Sequence, residues 1–239
     1  MRQSRRLPAA AVILILLSLV ICGCNTGDGS YAVTFWGTLG SEAGQMESPG
    51  GFCLSAEGNI LIADTNNHRI EEFTRWGAFV AAWGEEGSGP GQFSYPMAVA
   101  ADSKGNIYVA DTLNNRIQKF DAQYNFLLQW GVEGNAPGQL LVPFDLDLDR
   151  QDNVYVADSG NSRIQMFTSQ GILQAFWGEE GTEPGQLQHP GGITVSPDGR
   201  IYVADSDNHR IQVFSREGAF LGYWGRQGNS IGELFNPAL

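Results

Sequence analysis

Ile107-Tyr108-Val109-Ala110-Asp111-Thr112-Leu113-Asn114-Asn115-Arg116-Ile117-Gln118 is one of four copies of a single phrase. Ala63-Asp64-Thr65-Asn66-Asn67-His68-Arg69-Ile70 states it 47 residues earlier, and the segments 158–164 and 205–211 state it 47 and 94 residues later. A fixed period of this length marks a supersecondary unit that stacks on its own copies. The register runs from Trp36 to Pro237 without an insertion. Trp36, Trp83, Trp130, Trp177 and Trp224 are each followed by Gly, and Gly44, Gly91, Gly138, Gly185 and Gly232 keep the same spacing. So do Pro49, Pro96, Pro143, Pro190 and Pro237, and Phe73, Phe120, Phe167 and Phe214.

Each unit reads as four short strands. In the second unit these are about Met97–Asp102, Asn106–Asp111, Arg116–Asp121 and Asn125–Trp130, β-branched and aromatic runs broken by Gly, Asn, Asp and Ser. The units fall at about 46–84, 93–131, 140–178 and 187–225. Four antiparallel strands per unit of this length is the pattern of a β-propeller blade. Runs such as Ile107-Tyr108-Val109-Ala110 are apolar at every position because a neighbouring blade covers each face. The fold class is all-β. Residues 31–239 contain four complete blades, a fourth-strand segment at Tyr31–Trp36 and the start of a further first strand at 234–239.

The units resemble the NHL-repeat family, whose name-giving region stands here as Asn67-His68-Arg69-Ile70 and Asn208-His209-Arg210-Ile211. The resemblance covers essentially all of residues 31–239. It implies part of a propeller that in this family is usually six-bladed, its N-terminal fourth strand completing the blade that the C-terminus begins. The two ends are complementary in kind but the strands between them are missing. The expectation is therefore a truncated chain or an open arc completed by another chain. Exposed blade faces would make such an arc prone to association.

Strand direction puts the turn between second and third strands on the same rim as the long blade-to-blade crossovers. Asp64, Asp111, Asp158 and Asp205, with Arg69, Arg116, Arg163 and Arg210, recur in every unit and so read as framework. Asp111 is expected to accept N–H groups of the turn beginning at Thr112, with Arg116 pairing to it or to a neighbouring carbonyl. Function is sought where the copies disagree. On this rim those positions are Asn66, Leu113, Gly160 and Asp207, and His68, Asn115, Ser162 and His209. They describe a binding surface for a protein or other ligand.

Two features invite a metal. Asp145, Asp147 and Asp149 alternate with leucines and point to one face of a channel-lining first strand, where calcium takes oxygen ligands. One strand cannot supply six ligands, and Asp149 belongs to the turn while Asp145 caps local backbone, which leaves Asp147 alone without a structural account. Some enzymes with NHL-like propellers, the peptidyl-amidoglycolate lyases, use a His-ligated metal. Here His68 and His209 lie at equivalent turns of different blades and His189 precedes Pro190, whereas zinc needs three converging ligands. Asp145, Asp147 and His189 are therefore the candidates for a calcium or zinc site in the alternative reading, a lyase- or lactonase-like enzyme. The main reading has no cofactor and no catalytic residue. Cys53 sits where other blades have Ala100, Asp147 and Thr194 and reads as a small strand residue.

The first 24 residues have another logic. Arg2, Arg5 and Arg6 precede an apolar run, Ala9–Ile21, too short to cross a bilayer as a permanent helix. Ile21-Cys22-Gly23-Cys24 resembles a bacterial lipobox, which makes Cys24 the lipidated residue, and 25–30 reads as a flexible tether. The expectation is an exported chain, lipid-anchored to a bacterial membrane and facing the periplasm or the exterior. The formal charge of −12, with no run of Lys or Arg after residue 6, argues against nucleic acid as a partner. The reading that results is an extracytoplasmic binding or scaffold module with a cell-envelope partner.

Overall fold

A computed structural model describes residues 36–238, and the structural statements below concern those residues. The leader with Cys24, the tether and residues 31–35 of the N-terminal strand lie outside the described residues, as does Leu239.

A short parallel pair, β1 (Thr38–Leu39) and β2 (Gln45–Met46), precedes four sheets, each of four antiparallel strands in chain order. Blade 1 is β3 (Phe52–Leu54), β4 (Ile60–Asp64), β5 (Arg69–Phe73) and β6 (Phe79–Trp83). Blade 2 is β7 (Pro96–Ala101), β8 (Ile107–Asp111), β9 (Arg116–Phe120) and β10 (Phe126–Trp130). Blade 3 is β11 (Pro143–Leu148), β12 (Val154–Asp158), β13 (Arg163–Phe167) and β14 (Leu173–Trp177). Blade 4 is β15 (Pro190–Val195), β16 (Ile201–Asp205), β17 (Arg210–Phe214) and β18 (Phe220–Trp224). The first strands β3, β7, β11 and β15 stand side by side in that order. The described residues contain no α-helix, and the four sheets form an open, partial propeller.

The crossovers share one geometry. The parallel pairing of β1 with β2 recurs as bridges Glu86–Phe93, Glu133–Leu140, Glu180–Leu187 and Gln227–Leu234. Each crossover begins at the Trp-Gly step. Gly131 has φ +92°, and a Cβ there would lie 2.6 Å from Leu140 and 3.0 Å from the Asn115 carbonyl. Only glycine fits that turn.

The core is a set of layers between blades. Second strands β4, β8 and β12 are buried at all five positions. From β8, Ile107 and Val109 pack toward blade 1 beside Leu61, Ile70 and Phe93, while Tyr108 and Ala110 pack toward blade 3 beside Leu146, Val156 and Phe167. Alternation along one strand thus serves two layers. Three of the repeated tryptophans reach into the next blade. Trp83 lies over Phe120, Trp130 over Phe167 and Trp177 over Phe214, at centroid distances of 6.4, 5.9 and 6.2 Å. Trp224, at the same position in blade 4, is 51% exposed.

Candidate binding rim

The crossover rim is built on a buried clasp repeated in each blade. Asp111 Oδ1 accepts the Ser94 N–H at 2.7 Å, and Oδ2 accepts Arg116 Nε at 2.6 Å, Asn114 Nδ2 at 2.9 Å and Gln118 Nε2 at 3.0 Å. Arg116 Nη1 donates to the Ser88 carbonyl, and Nη2 donates to those of Gly89 and Gln92. Asp158 with Arg163 and Asp205 with Arg210 repeat the arrangement, and Asp64 with Arg69 does so in blade 1. One detail differs from the sequence expectation. The aspartates place no side-chain cap on the 3-10 turns that follow them. Their first oxygen instead takes an N–H of the incoming crossover, because the turn leaves its last N–H bonded to its own first carbonyl.

Blade 1 breaks the pattern at one atom. Gln118, Gln165 and Gln212 accept a glycine N–H and donate to the crossover carbonyl and to the clasp aspartate. Glu71 holds the equivalent position. Its Oε1 accepts Gly44 N–H and faces Arg69, but its buried Oε2 has no hydrogen-bond partner among the described residues. Burial pushes the Glu71 carboxyl above the usual carboxylate range, against the pull of Arg69 and the Gly44 N–H.

The variable positions are arranged on this frame in two classes. Asn66, Leu113, Gly160 and Asp207 each donate their N–H to the carbonyl of the residue just ahead of their own blade's entry turn, namely Glu47, Ser94, Leu141 and Gln188. Their side chains stand beside the starts of the innermost strands. Asn66 bonds Ser48, Leu113 is exposed, and Asp207 pairs with His189 at 2.7 Å. His68, Asn115 and His209 instead turn toward the next crossover. His68 Nδ1 accepts the Tyr95 N–H, Asn115 Oδ1 that of Val142, and His209 Nδ1 that of Asn236, while Ser162 is buried. All four of these residues end their turns with φ near +50°.

A further ring of variable residues was not singled out from the sequence. Ser48, Tyr95, Val142, His189 and Asn236 share a positive φ of 42–51° immediately before the repeated proline. Tyr95 is exposed and packs edge-on against His68. The sequence carries their signal, since five different residues occupy one repeat position, and His189 is the one of them that stands among the metal candidates. Around the mouth this makes a polar sector at Glu47, Ser48 and Asn66. An apolar sector follows at Tyr95, Leu113, Leu141 and Val142, and then the His189–Asp207 pair.

The aspartates of β11 do other work. Asp145 Oδ1 accepts Leu146 N–H, and Oδ2 accepts Ile193 N–H of β15 at 2.7 Å. Asp147 Oδ2 accepts Val195 N–H and the Thr194 hydroxyl. Both carboxylates stitch blade 3 to blade 4, so capping of local backbone covers only half of the bonding of Asp145. Burial pushes Asp145 up to about 7, aided by Asp147 and opposed by the two N–H donors. Asp149 closes its own hairpin turn through Gln151 and Asn153. His189 is engaged with Asp207 on the rim, and among the described residues no three His, Cys, Asp or Glu side chains cluster as metal ligands. The candidate trio therefore does not fit calcium or zinc. Cys53 is a free thiol, pushed up to about 12 by burial with Asp147 and Glu72 adding to the rise.

Comparison with known proteins agrees with this architecture. The family model for the NHL repeat matches residues 47–73, 93–120, 140–167 and 187–214, one match in each blade. Over 44 residues the chain is 43% identical to the B-box type zinc finger protein ncl-1 of Caenorhabditis elegans and to Protein brain tumor of Drosophila melanogaster. Those segments are 18% of this chain and 5% and 4% of the relatives. Among solved structures, U3-55K has a TM-score of 0.61 at 15% identity, covering 76% of this chain and 53% of that one. A nidogen/laminin complex gives 0.60 at 19%, covering 74% and 64%, and virginiamycin B lyase from Staphylococcus aureus gives 0.57 at 16%, covering 72% and 54%. The chain spans about half to two thirds of these structures, and at such identities they share its fold. With a repeat match in every blade and a propeller architecture throughout, the chain belongs to the NHL-repeat β-propellers.

Proposed function

We propose that this chain is an exported, lipid-anchored binding module that holds a protein of the cell envelope on its crossover rim. The observation that carries the reading is the mouth of that rim. A clasp common to all four blades fixes the backbone, while the side chains beside it change from polar to apolar to charged around the axis. A surface built this way separates specificity from stability, as recognition on rigid scaffolds requires. Tyr95 and Leu113 supply exposed anchors, and the His189–Asp207 pair beside them supplies polar orientation. The nidogen/laminin structure, a complex of two proteins, supports the reading by analogy of fold. The N-terminal leader with Cys24 supports the location, and the acidic balance of the chain disfavours nucleic acid.

The test is cross-linking in the native envelope with the wild-type chain and with a Tyr95→Ala, Leu113→Asp double variant. Both side chains are outside the clasp, so the variant should fold normally. Partner capture is expected to fall about tenfold or more, as for removal of an interface anchor. Equal capture by the two forms would rule the rim out. Metabolic labelling with a fatty acid, lost in Cys24→Ser, checks the anchor separately.

A further inference from the structure

The opposite rim, made of the hairpin turns, contains a cleft of about 470 Å³ between blades 3 and 4. Three turns line it, residues 149–151 between β11 and β12, 196–200 between β15 and β16, and 215–217 between β17 and β18. Each turn contributes one arginine: Arg150, Arg200 and Arg216. In a chain with a formal charge of −12, these three guanidiniums balance the three acids of the same lining, Asp149, Asp198 and Glu217, so the concavity is locally neutral. They are far apart in sequence, so no basic run announces them. Their repeat positions are not uniformly basic, since the residues 47 positions earlier are Ser103, Asn153 and Ser169, although Arg75 shares the repeat position of Arg216 in blade 1.

We propose that this cleft binds a small organic anion bearing a phosphate or several carboxylates, gripped by the guanidiniums of Arg150, Arg200 and Arg216. The acids that share the cleft are already engaged. Asp149 accepts Gln151 N–H, Asn153 N–H and Nδ2, and Arg216 Nη2. Asp198 accepts the Ser196 hydroxyl and faces Arg200 Nε at 3.3 Å, and Glu217 accepts the Ser215 hydroxyl. Arg216 is held by Asp149 and by Gln151 Oε1 at 2.6 Å, so it stands in place before any ligand arrives. The Arg150 side chain has no hydrogen bond or ion pair among the described residues. The Arg200–Asp198 pair is 58% and 61% exposed, and a pair so exposed is weak enough for the guanidinium to turn to a ligand. Guanidiniums offer planar forks that match phosphate and carboxylate oxygens two at a time. The volume suits a small molecule and lies on the rim away from the proposed protein-binding mouth.

The test is titration of the purified chain with citrate and, separately, with inorganic phosphate at low ionic strength. Calorimetry reads the stoichiometry and backbone amide NMR shifts read the location. Expected is one-to-one binding of at least one probe, shifts confined to residues 149–151, 196–200 and 215–217, and weakening as salt is added. Arg150→Ala with Arg200→Ala should weaken binding about tenfold or more, the effect of losing hydrogen bonds to charged groups. Both side chains are exposed, and an unchanged urea midpoint verifies that the variant is folded. Binding of citrate alone identifies carboxylates and binding of phosphate alone identifies phosphate esters, and either supports the site. No response to both probes, shifts elsewhere, or unchanged affinity in the folded double variant would overturn it.

Discussion

The two rims of this propeller solve the same problem in opposite ways. On the crossover rim every junction is closed by the same buried Asp-Arg clasp, with Gln completing it in three blades. On the hairpin rim each junction is closed differently. Between blades 1 and 2 the Tyr124 hydroxyl donates to Glu72, and the Tyr124 ring stacks on Trp83 at 4.3 Å. Between blades 2 and 3 the buried Lys119 donates to the Ser169 carbonyl and faces Asp102. Between blades 3 and 4 Arg216 reaches Asp149. Crossovers carry long irregular backbone whose polar groups must be satisfied, and one residue set does this wherever the backbone repeats. Hairpin turns satisfy themselves, so the side chains above them are free to differ.

The clasp should therefore be the less forgiving element. Arg116→Met leaves Asp111 buried without its cation and takes a donor from three crossover carbonyls. Of these, Gln92 keeps Gln118 Nε2, Gly89 keeps the Gln92 N–H and, among the described residues, Ser88 is left without one. A loss of about 3–5 kcal/mol is expected in denaturant unfolding, the usual cost of breaking one partner out of a buried pair. A loss below about 1 kcal/mol would mean the clasp is decorative.

Midway between the rims, Asp145 ties β11 to β15. Its folded pKa is raised to about 7, above the unfolded carboxylate value, so the folded state holds the proton more tightly. The penalty is absent below about pH 4, grows through the interval up to about 7 and is constant above. Asp145→Asn should remove that decline, but its Nδ2 faces one of the two N–H groups that the carboxylate accepts, so the variant is expected to be about 1–3 kcal/mol less stable than wild type in acid and to close that gap above neutrality. Urea midpoints measured across this range decide it, and a parallel pair of curves would refute the assignment.

Glu71 sharpens the comparison within the crossover rim itself. Because burial raises its pKa, its cost likewise grows as pH rises above the unfolded carboxylate value. Glu71→Gln restores the donor that Gln118 provides in blade 2 and removes a buried oxygen with no partner. A gain of about 1–2 kcal/mol in thermal or urea unfolding at neutral pH is expected, partly offset by the lost Arg69 contact.

How far the sequence reached depended on repetition. The strands read at Met97–Asp102, Asn106–Asp111, Arg116–Asp121 and Asn125–Trp130 lie within one residue of β7–β10, because four in-register copies report each boundary four times. The Glu71 exception could be read the same way, by laying it beside Gln118, Gln165 and Gln212. Contacts between blades could not. Asp145 and Asp147 looked like a local row of carboxylates, yet their partners are N–H groups about one full unit away on β15. Arg150, Arg200 and Arg216 are scattered singly along the chain, and only the radial packing of blades 3 and 4 gathers them. Periodicity shows what each blade shares and leaves out what each pair of blades makes together.

Lys119 offers the smallest effect and the most direct test of the contrast between rims. Its ammonium is buried, and burial lowers its pKa against the pull of Asp102. In isolation that resembles Arg116, but the partner differs. Asp102 also accepts the Lys104 and Asn106 N–H groups, Asn106 Nδ2 and the Tyr108 hydroxyl, which together hold its carboxyl below the usual range. Removing the lysine thus leaves a carboxylate that is still satisfied, and the Ser169 carbonyl gives up one donor. A methionine gives up the contact of the Lys119 ammonium with the face of the Tyr108 ring and sets a polarizable thioether in its place. Lys119→Met is expected to change stability by less than about 1 kcal/mol, since trading a buried charge for a matching apolar side chain is often neutral. If its unfolding midpoint falls as far as that of Arg116→Met, the hairpin rim is as tightly bound to its polar partners as the crossover rim. The freedom of its turns to diversify would then need another cause.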